Sequence, residues 1–190
     1  MTGKTHQIVG ICAGFTYYIT QTNSSYNPAT LGAVVIGSHF ATLLPDIDTA
    51  AGKFWQSIPY GKYFGRVIDP FLEHRNLTHS ILGIGIVFYG LRYLLDISPD
   101  YWGWDKPLLL TVWMIAFISH LLIDMITVQG IPLFFPLWQK MFGIPPKPFE
   151  GIRIETGKWF ENLIIYPILN LYLIWMVYIS WDKIKQILLG

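Results

Sequence analysis

A chain of 190 residues makes one domain or a small bundle. It is 53% hydrophobic and only 13% charged, about half the roughly 25% of a soluble globular chain, and its mean hydropathy is +0.42. With a net charge of +1 and one cysteine, Cys12, the composition excludes a disordered chain, a basic nucleic-acid-binding surface and a disulfide or cysteine-rich zinc framework.

The expected architecture is all-α: a multi-pass membrane bundle of about five spans with interfacial loops, a single domain over residues 1–190. The eight Trp, eleven Tyr and twelve Phe suit interfacial belts. From Thr5 to Pro45 there is no charged residue, and the polar stretch Gln21 to Pro28 divides two apolar runs, about His6–Thr20 and Ala29–Leu44. Only Lys4 precedes the first run and no small-residue cleavage site follows it, so it reads as a span rather than a signal peptide. Cys12 reads as a helix-packing residue. The third run, Ser80–Leu95, carries only Arg92, which can snorkel from its far end. The fourth, Pro107–Ile123, continues past Asp124 to Val128, and the fifth, Asn162–Trp181, is uncharged throughout. Two connections, Asp46–Thr78 and Gln129–Phe160, are rich in Pro, Gly and aromatics. Within the second, Ile131–Trp138 is either a re-entrant or lid segment or a loop lying on the headgroups.

Threaded up and down, these spans bring most of the ionisable residues to one membrane face. His6 opens the first; Asp46 and Asp48 close the second; His74 and His79 precede the third; His120 and Asp124 end the fourth; Glu161 opens the fifth. An ionisable group inside a span costs at least about 2.5–3.5 kcal/mol at mid-membrane and tends to mark a site. His120 and Asp124, four apart, share a helical face and suit two ligands of one metal ion or of two neighbouring ions. Asp46 and Asp48, following Pro45, are expected to be extended and to share a face, as ligands or as partners of a ligand histidine. Thr78 or Asn76 would cap the third helix and place His79 in its first turn. His39, in mid-span, is either a packed histidine or a further ligand. Arg75 and Lys158 would bind an anionic substrate group, or simply retain positive charge on the cytoplasmic side.

The motifs Leu44-Pro45-Asp46-Ile47-Asp48, His74-Arg75-x-x-Thr78-His79-Ser80 and Ser119-His120-Leu121-Leu122-Ile123-Asp124, with Thr127, Gly130 and Pro136 behind them, resemble those of the YdjM-like family. These are small multi-pass inner-membrane proteins described as candidate metal-dependent hydrolases. The resemblance runs from His6 to Glu161 and implies signature positions at Asp46, Asp48, His74, Arg75, Thr78, His79, His120 and Asp124. The order of His and Asp is also distantly similar to that of the soluble zinc-dependent phospholipases C. Their later His-x3-Glu pair is here Gly157-x3-Glu161, so at most part of their site could exist.

The resulting expectation is a hydrolase whose metal is held by His6, Asp46, Asp48, His74, His79, His120 and Asp124. One or two divalent ions are expected, zinc preferred, with manganese or iron as alternatives. Glu161 or Asp48 would be the general base. A site at the bilayer edge suits a lipid-like substrate, a phosphoester before a carboxylester, drawn from the membrane lipids. Metal-ion transport or sensing is the alternative. Nine of the thirteen basic residues (Lys4, Lys53, Lys62, Arg66, Arg75, Lys140, Lys147, Arg153, Lys158) lie on the site face, which predicts that this face and the N-terminus are cytoplasmic in an inner-membrane protein.

Overall fold

The computed structural model describes residues 1–21, 27–48, 53–56, 59–61, 63 and 77–189. The secondary structure of the described residues is all-helical. Its helices are α1 (Gly3–Thr20), α2 (Pro28–Ala41), the short α3 (Lys53–Gln56), α4 (Ile81–Ile97), α5 (Lys106–Met125), α6 (Tyr166–Ile179, entered through a π-turn at Glu161–Ile165) and α7 (Trp181–Leu189). A helix therefore stands at each of the five apolar runs. Among the described residues, two helices are long and apolar enough to cross a membrane, Lys106–Met125 and Glu161–Ile179. The 14 residues of α2 and 17 of α4 fall short of the roughly 20 that a straight span needs.

α5 is the central helix and packs against α1, α2 and α4, while α1 also packs on α2 and α6. Apolar contact with lipid would give little drive for such packing, so close backbone approach matters most. Gly10 and Gly14 of α1 provide it: a side chain at Gly10 would strike Thr42, at the end of α2, and one at Gly14 would strike Ser38 within α2. Phe15, Tyr18, Val34, Leu109 and Val112 fill the space between α1, α2 and α5. Cys12 sits against α6, with its thiol 3.6 Å from the Leu169 carbonyl, as a packing residue should.

The ends opposite the candidate site are closed by conventional caps. Asn27 accepts from the Thr30 amide and Asp105 from the Leu108 amide. Lys183 donates to the carbonyls of Ile19 and Gln21 and so ties α7 to the end of α1. Lys106 donates to the Ser98 carbonyl and to Asp100, whose carboxyl it holds below the usual range by that hydrogen bond.

The α4 boundary differs from expectation. Its cap is Ser80, which accepts from the Gly83 amide at 3.1 Å, so His79 lies just before the helix rather than in its first turn. Thr78 is not free to cap, because its hydroxyl donates to the Pro45 carbonyl at 2.7 Å; Asn76 is outside the described residues. Pro45 and Asp46 lie in a 3-10 turn, Leu44–Asp48, and not in an extended segment. The connection after α5 folds back as a compact loop. Ile131 and Phe142 exchange both backbone hydrogen bonds, at 2.8 and 2.7 Å, and Ile144 donates to the Met125 carbonyl. Gly130 makes this reversal possible: its φ of +66° and the adjacent Phe142 carbonyl exclude a side chain. Ile131 is buried, but Leu137 and Trp138 at the tip are exposed, and the Leu133 carbonyl accepts from Ile81 at the start of α4.

Candidate metal centre

Asp124, at the end of α5, is the hub of the centre. Its Oδ1 is 3.0 Å from His6 Nε2, and its Oδ2 is 3.6 Å from both His79 Nε2 and His120 Nε2. Asp46 Oδ1 approaches His120 Nε2 at 3.9 Å from the 3-10 turn. The three imidazoles and Asp124 are buried, whereas the Asp46 side chain keeps 22% of its exposure and stands at the rim. The ring centroids of His6 and His120 are 3.7 Å apart. Two overlapping ligand groups result, His6–His120–Asp124 and Asp46–His79–His120, sharing His120.

What turns the three rings toward Asp124 is the hydrogen bonding of their other nitrogens. His6 Nδ1 donates to the Thr2 carbonyl at 3.0 Å, and His120 Nδ1 to the Thr42 carbonyl at 2.6 Å. A carbonyl can only accept, so both Nδ1 atoms carry protons. The Thr78 hydroxyl, having given its proton to Pro45, accepts from His79 Nδ1 at 3.2 Å. The neutral form of each ring then presents an Nε2 lone pair to Asp124. Lone pairs facing a buried carboxylate repel it. Protonating all three rings would instead leave two positive charges uncompensated in a buried site, which is costly. A shared cation, the Met1 ammonium or a metal ion, resolves both problems.

Two further observations fit a cation here. His120 Nε2 and Asp124 Oδ2 are buried and make no hydrogen bond among the described residues, although such atoms rarely go unsatisfied. The ammonium of Met1 donates to Asp124 Oδ1 at 2.7 Å, which places a cationic group directly on this carboxylate. The donor set of imidazole nitrogen and carboxylate oxygen is that of a transition-metal site, and the cluster can hold a metal ion.

Of the other residues expected at the site, His74 and Arg75 lie outside the described residues, and of Asp48 only the backbone is described, at the end of the Leu44–Asp48 turn. His39 is partly buried, edge-on to Phe40, and in neither ligand group. Lys158 is exposed and borders a surface hollow with Arg153 and Glu155. Glu161 is fully buried but turned to a different task. Its Oε1 accepts from the Thr2 amide, the Thr2 hydroxyl and the Thr5 hydroxyl at 2.6–2.7 Å, and its Oε2 from the Gly157 amide at 2.7 Å. A carboxylate holding four donors has little capacity left to take a proton from water. Glu161 anchors the N-terminal turn whose Thr2 carbonyl orients His6.

The sequence reading missed Thr2, Thr5 and Thr42. The hydroxyl of Thr42 donates to the His6 carbonyl at 3.1 Å while its carbonyl holds His120. Their one legible signal was position: each is a small polar residue near the end of an apolar helix, within four residues of His6 or Asp46.

Fold and centre together define a helical protein that carries, at one end of its bundle, a buried His/Asp cluster able to hold a metal ion. The chain belongs to the YdjM inner membrane protein family, whose profile matches residues 1–185. It is 30% identical over 167 residues to a protein of Bacillus subtilis (strain 168) named "Uncharacterized protein YvsG", covering 87% of this chain and 88% of that one. It is 32% identical over 125 residues to the inner membrane protein YdjM of Escherichia coli (strain K12), and equally to that of Shigella flexneri. Those matches cover 64% of this chain and 59% of the relative. No solved structure matches the chain.

Proposed function

We propose that this protein is a metal-dependent hydrolase of the inner membrane, crossing it five times, with its centre at the cytoplasmic edge and a lipid-like phosphoester as substrate. The observation that carries the reading is the common orientation of three imidazoles, each with Nδ1 engaged and Nε2 aimed at Asp124. A site tuned only to pack or to pair charges has no need of that tautomer three times over.

His6, His79, His120 and Asp124 would hold one ion, with Asp46 as a fifth ligand or as part of a second ion's shell; zinc is preferred, with manganese or iron as alternatives. Such an ion, when bound, lowers the pKa of a coordinated water to about 7 and polarises a phosphoryl oxygen. The chain's own residues do the rest. Thr2, Thr42 and Thr78 keep the imidazoles in the ligating tautomer. Asp46, the one partly exposed carboxylate of the cluster, marks the mouth. The general base falls to the Leu44–Asp48 turn, on Asp46 or Asp48, since Glu161 is saturated by its four donors. What supports the substrate class is the edge position, which lets a polar head reach the metal while a tail stays in lipid. Arg75 and Lys158 are candidates to hold the anionic head.

The test is elemental analysis of detergent-purified protein combined with a turnover screen of phospholipids, isoprenoid phosphates and simple phosphodiesters. Expected are bound transition metal, chelator-sensitive hydrolysis, and loss of both in His120→Ala and Asp124→Ala. Unchanged metal content in both variants would remove the centre. Bound metal without any turnover, with metal flux into liposomes, would replace the hydrolase by a transporter.

A further inference from the structure

α2 and α4 both lean on α5 but leave an apolar cleft of about 620 Å³ between them. Its floor is α5: the Trp113 indole lies over Gly37 and is fixed there by donating to the Ala33 carbonyl at 3.0 Å. A side chain at Gly37 would displace that ring. The walls are Ile36 and Phe40 on one side and Leu94 on the other, all exposed toward the flank of the bundle. Among the described residues the cleft is therefore open sideways, where a membrane protein meets lipid chains.

Its two ends differ. One is closed by Trp104 and Pro28; the other is lined by Ala41, Leu44 and Phe54, the last from α3, which packs on the Leu44–Asp48 turn. Leu44 belongs to the same 3-10 turn as Asp46, whose carboxylate faces His120 from the rim of the metal centre. The groove thus begins two residues from that carboxylate. It follows the 14 residues of α2, roughly 20 Å at about 1.5 Å per residue. A leaflet of hydrocarbon is about 15 Å deep, half of a roughly 30 Å core.

We propose that this cleft holds one hydrocarbon chain of the membrane lipid whose polar head is presented to the metal centre. The proposal rests on the hydrolase reading for the fate of the head, but not for the seating of the tail. Lateral opening allows entry from the leaflet without a chain ever passing through water. Continuity with the Asp46 turn puts the head where the cluster is accessible. Gly32 leaves the middle of the groove open, with nothing within 4 Å of where a side chain would begin. A substitution there fills the groove without pressing on its walls at the first carbon, and replaces a poor helix former.

The experiment uses the full chain in nanodiscs of phosphatidylethanolamine and phosphatidylglycerol, doped with a phospholipid bearing a diazirine on its acyl chain. After photolysis, adducts are mapped by mass spectrometry. Expected are saturable adducts at Ile36, Phe40 and Leu94, roughly tenfold above those at Ile168, Leu171 and Ile174 on the exposed face of α6, since a chain packed between the groove walls keeps dispersion contacts that a chain passing α6 does not. Gly32→Phe should remove the enrichment while helix content, melting and metal content stay as they were. Uniform, non-saturable labelling of both faces overturns the proposal, as does capture of a second copy of the chain through an Ile36→Cys disulfide. A second arm separates the two readings. Gly32→Phe should raise KM for a long-chain phosphoester and leave a short-chain, water-soluble one unchanged; equal effects on both overturn the groove and spare the hydrolase. Saturable labelling with turnover of neither substrate removes the hydrolase and spares the groove.

Discussion

The Thr2 carbonyl accepts the Nδ1 proton of His6, and the amide and hydroxyl of that same Thr2 are held by Glu161. A carboxylate at the head of α6 thereby sets the orientation of an imidazole on α1 without touching the cluster. Glu161→Ala leaves the Thr2 amide, the Gly157 amide and the Thr5 hydroxyl without their acceptor, at about 1–3 kcal/mol for each buried group left unsatisfied. The expected outcome is a lower melting temperature together with about 10- to 100-fold weaker metal binding, the usual loss for an outer partner of a metal ligand. Titration of metal into the stripped protein measures it. Glu161→Ala with unchanged affinity and a large loss of rate alone would return Glu161 to the role of base.

Thr78 joins two arms of the centre, giving its proton to Pro45 beside Asp46 and accepting one from His79. Thr78→Val keeps the shape and removes both bonds. Metal affinity is expected to fall about 10-fold or more, with Thr78→Ser retaining most of it because the hydroxyl survives. Equal affinities for the valine and serine variants would show that His79 is oriented by something else.

How far the sequence foretold this arrangement can be seen at individual residues. The five apolar runs each contain a helix because their hydrophobicity is continuous and their boundaries are marked by Asn27, Ser80 and Asp105, all of them side-chain caps. His6, Asp46, His79, His120 and Asp124 were legible because ionisable residues at the ends of apolar runs are rare enough to stand out. The role of Glu161 was not legible. Its helix-opening position fits a ligand, a base or an anchor, and only the spatial neighbours Thr2, Thr5 and Gly157, two of them more than 150 residues away in sequence, separate these. The cap of α4 was misplaced because Thr78 and Ser80 are equivalent cap formers; the tertiary bond to Pro45 decides between them.

Asp124 faces three imidazoles, so a bound divalent ion should hold α1, α5 and the segment before α4 together. Binding to the native state alone stabilises by about 2.7 kcal/mol at a hundredfold excess over Kd. At roughly 2–4 °C per kcal/mol for a chain of this size, chelation is expected to lower the melting temperature by several degrees. Asp124→Asn should abolish this difference. A chelator effect of equal size in that variant would place the stabilising ion elsewhere.

The distribution of Lys and Arg, nine of thirteen on the face of the centre, predicts the orientation of the chain in the membrane. At the end away from the centre, Lys183 and Lys106 are spent on backbone carbonyls of α1 and α4, Lys185 pairs with Asp182, and Arg92 lies 3.8 Å from Asp96. At the end that carries the centre, Lys140 lies over Trp138, Lys147 pairs loosely with Glu150 on the surface, and Lys158 is exposed. Retention of Lys and Arg on the cytoplasmic side then puts the centre, the N-terminus and the loop after α5 in the cytoplasm, with α7 outside. A cysteine introduced at Lys140 should resist an impermeant maleimide in intact cells, and one at Tyr101, on the opposite connection and 85% exposed, should react. The reverse pattern would place the centre outside. Reaction at Tyr101 but not at Lys140, with a reporter after residue 190 active only in the cytoplasm, would mean that the number of crossings is even and that α6 returns to the side it began on.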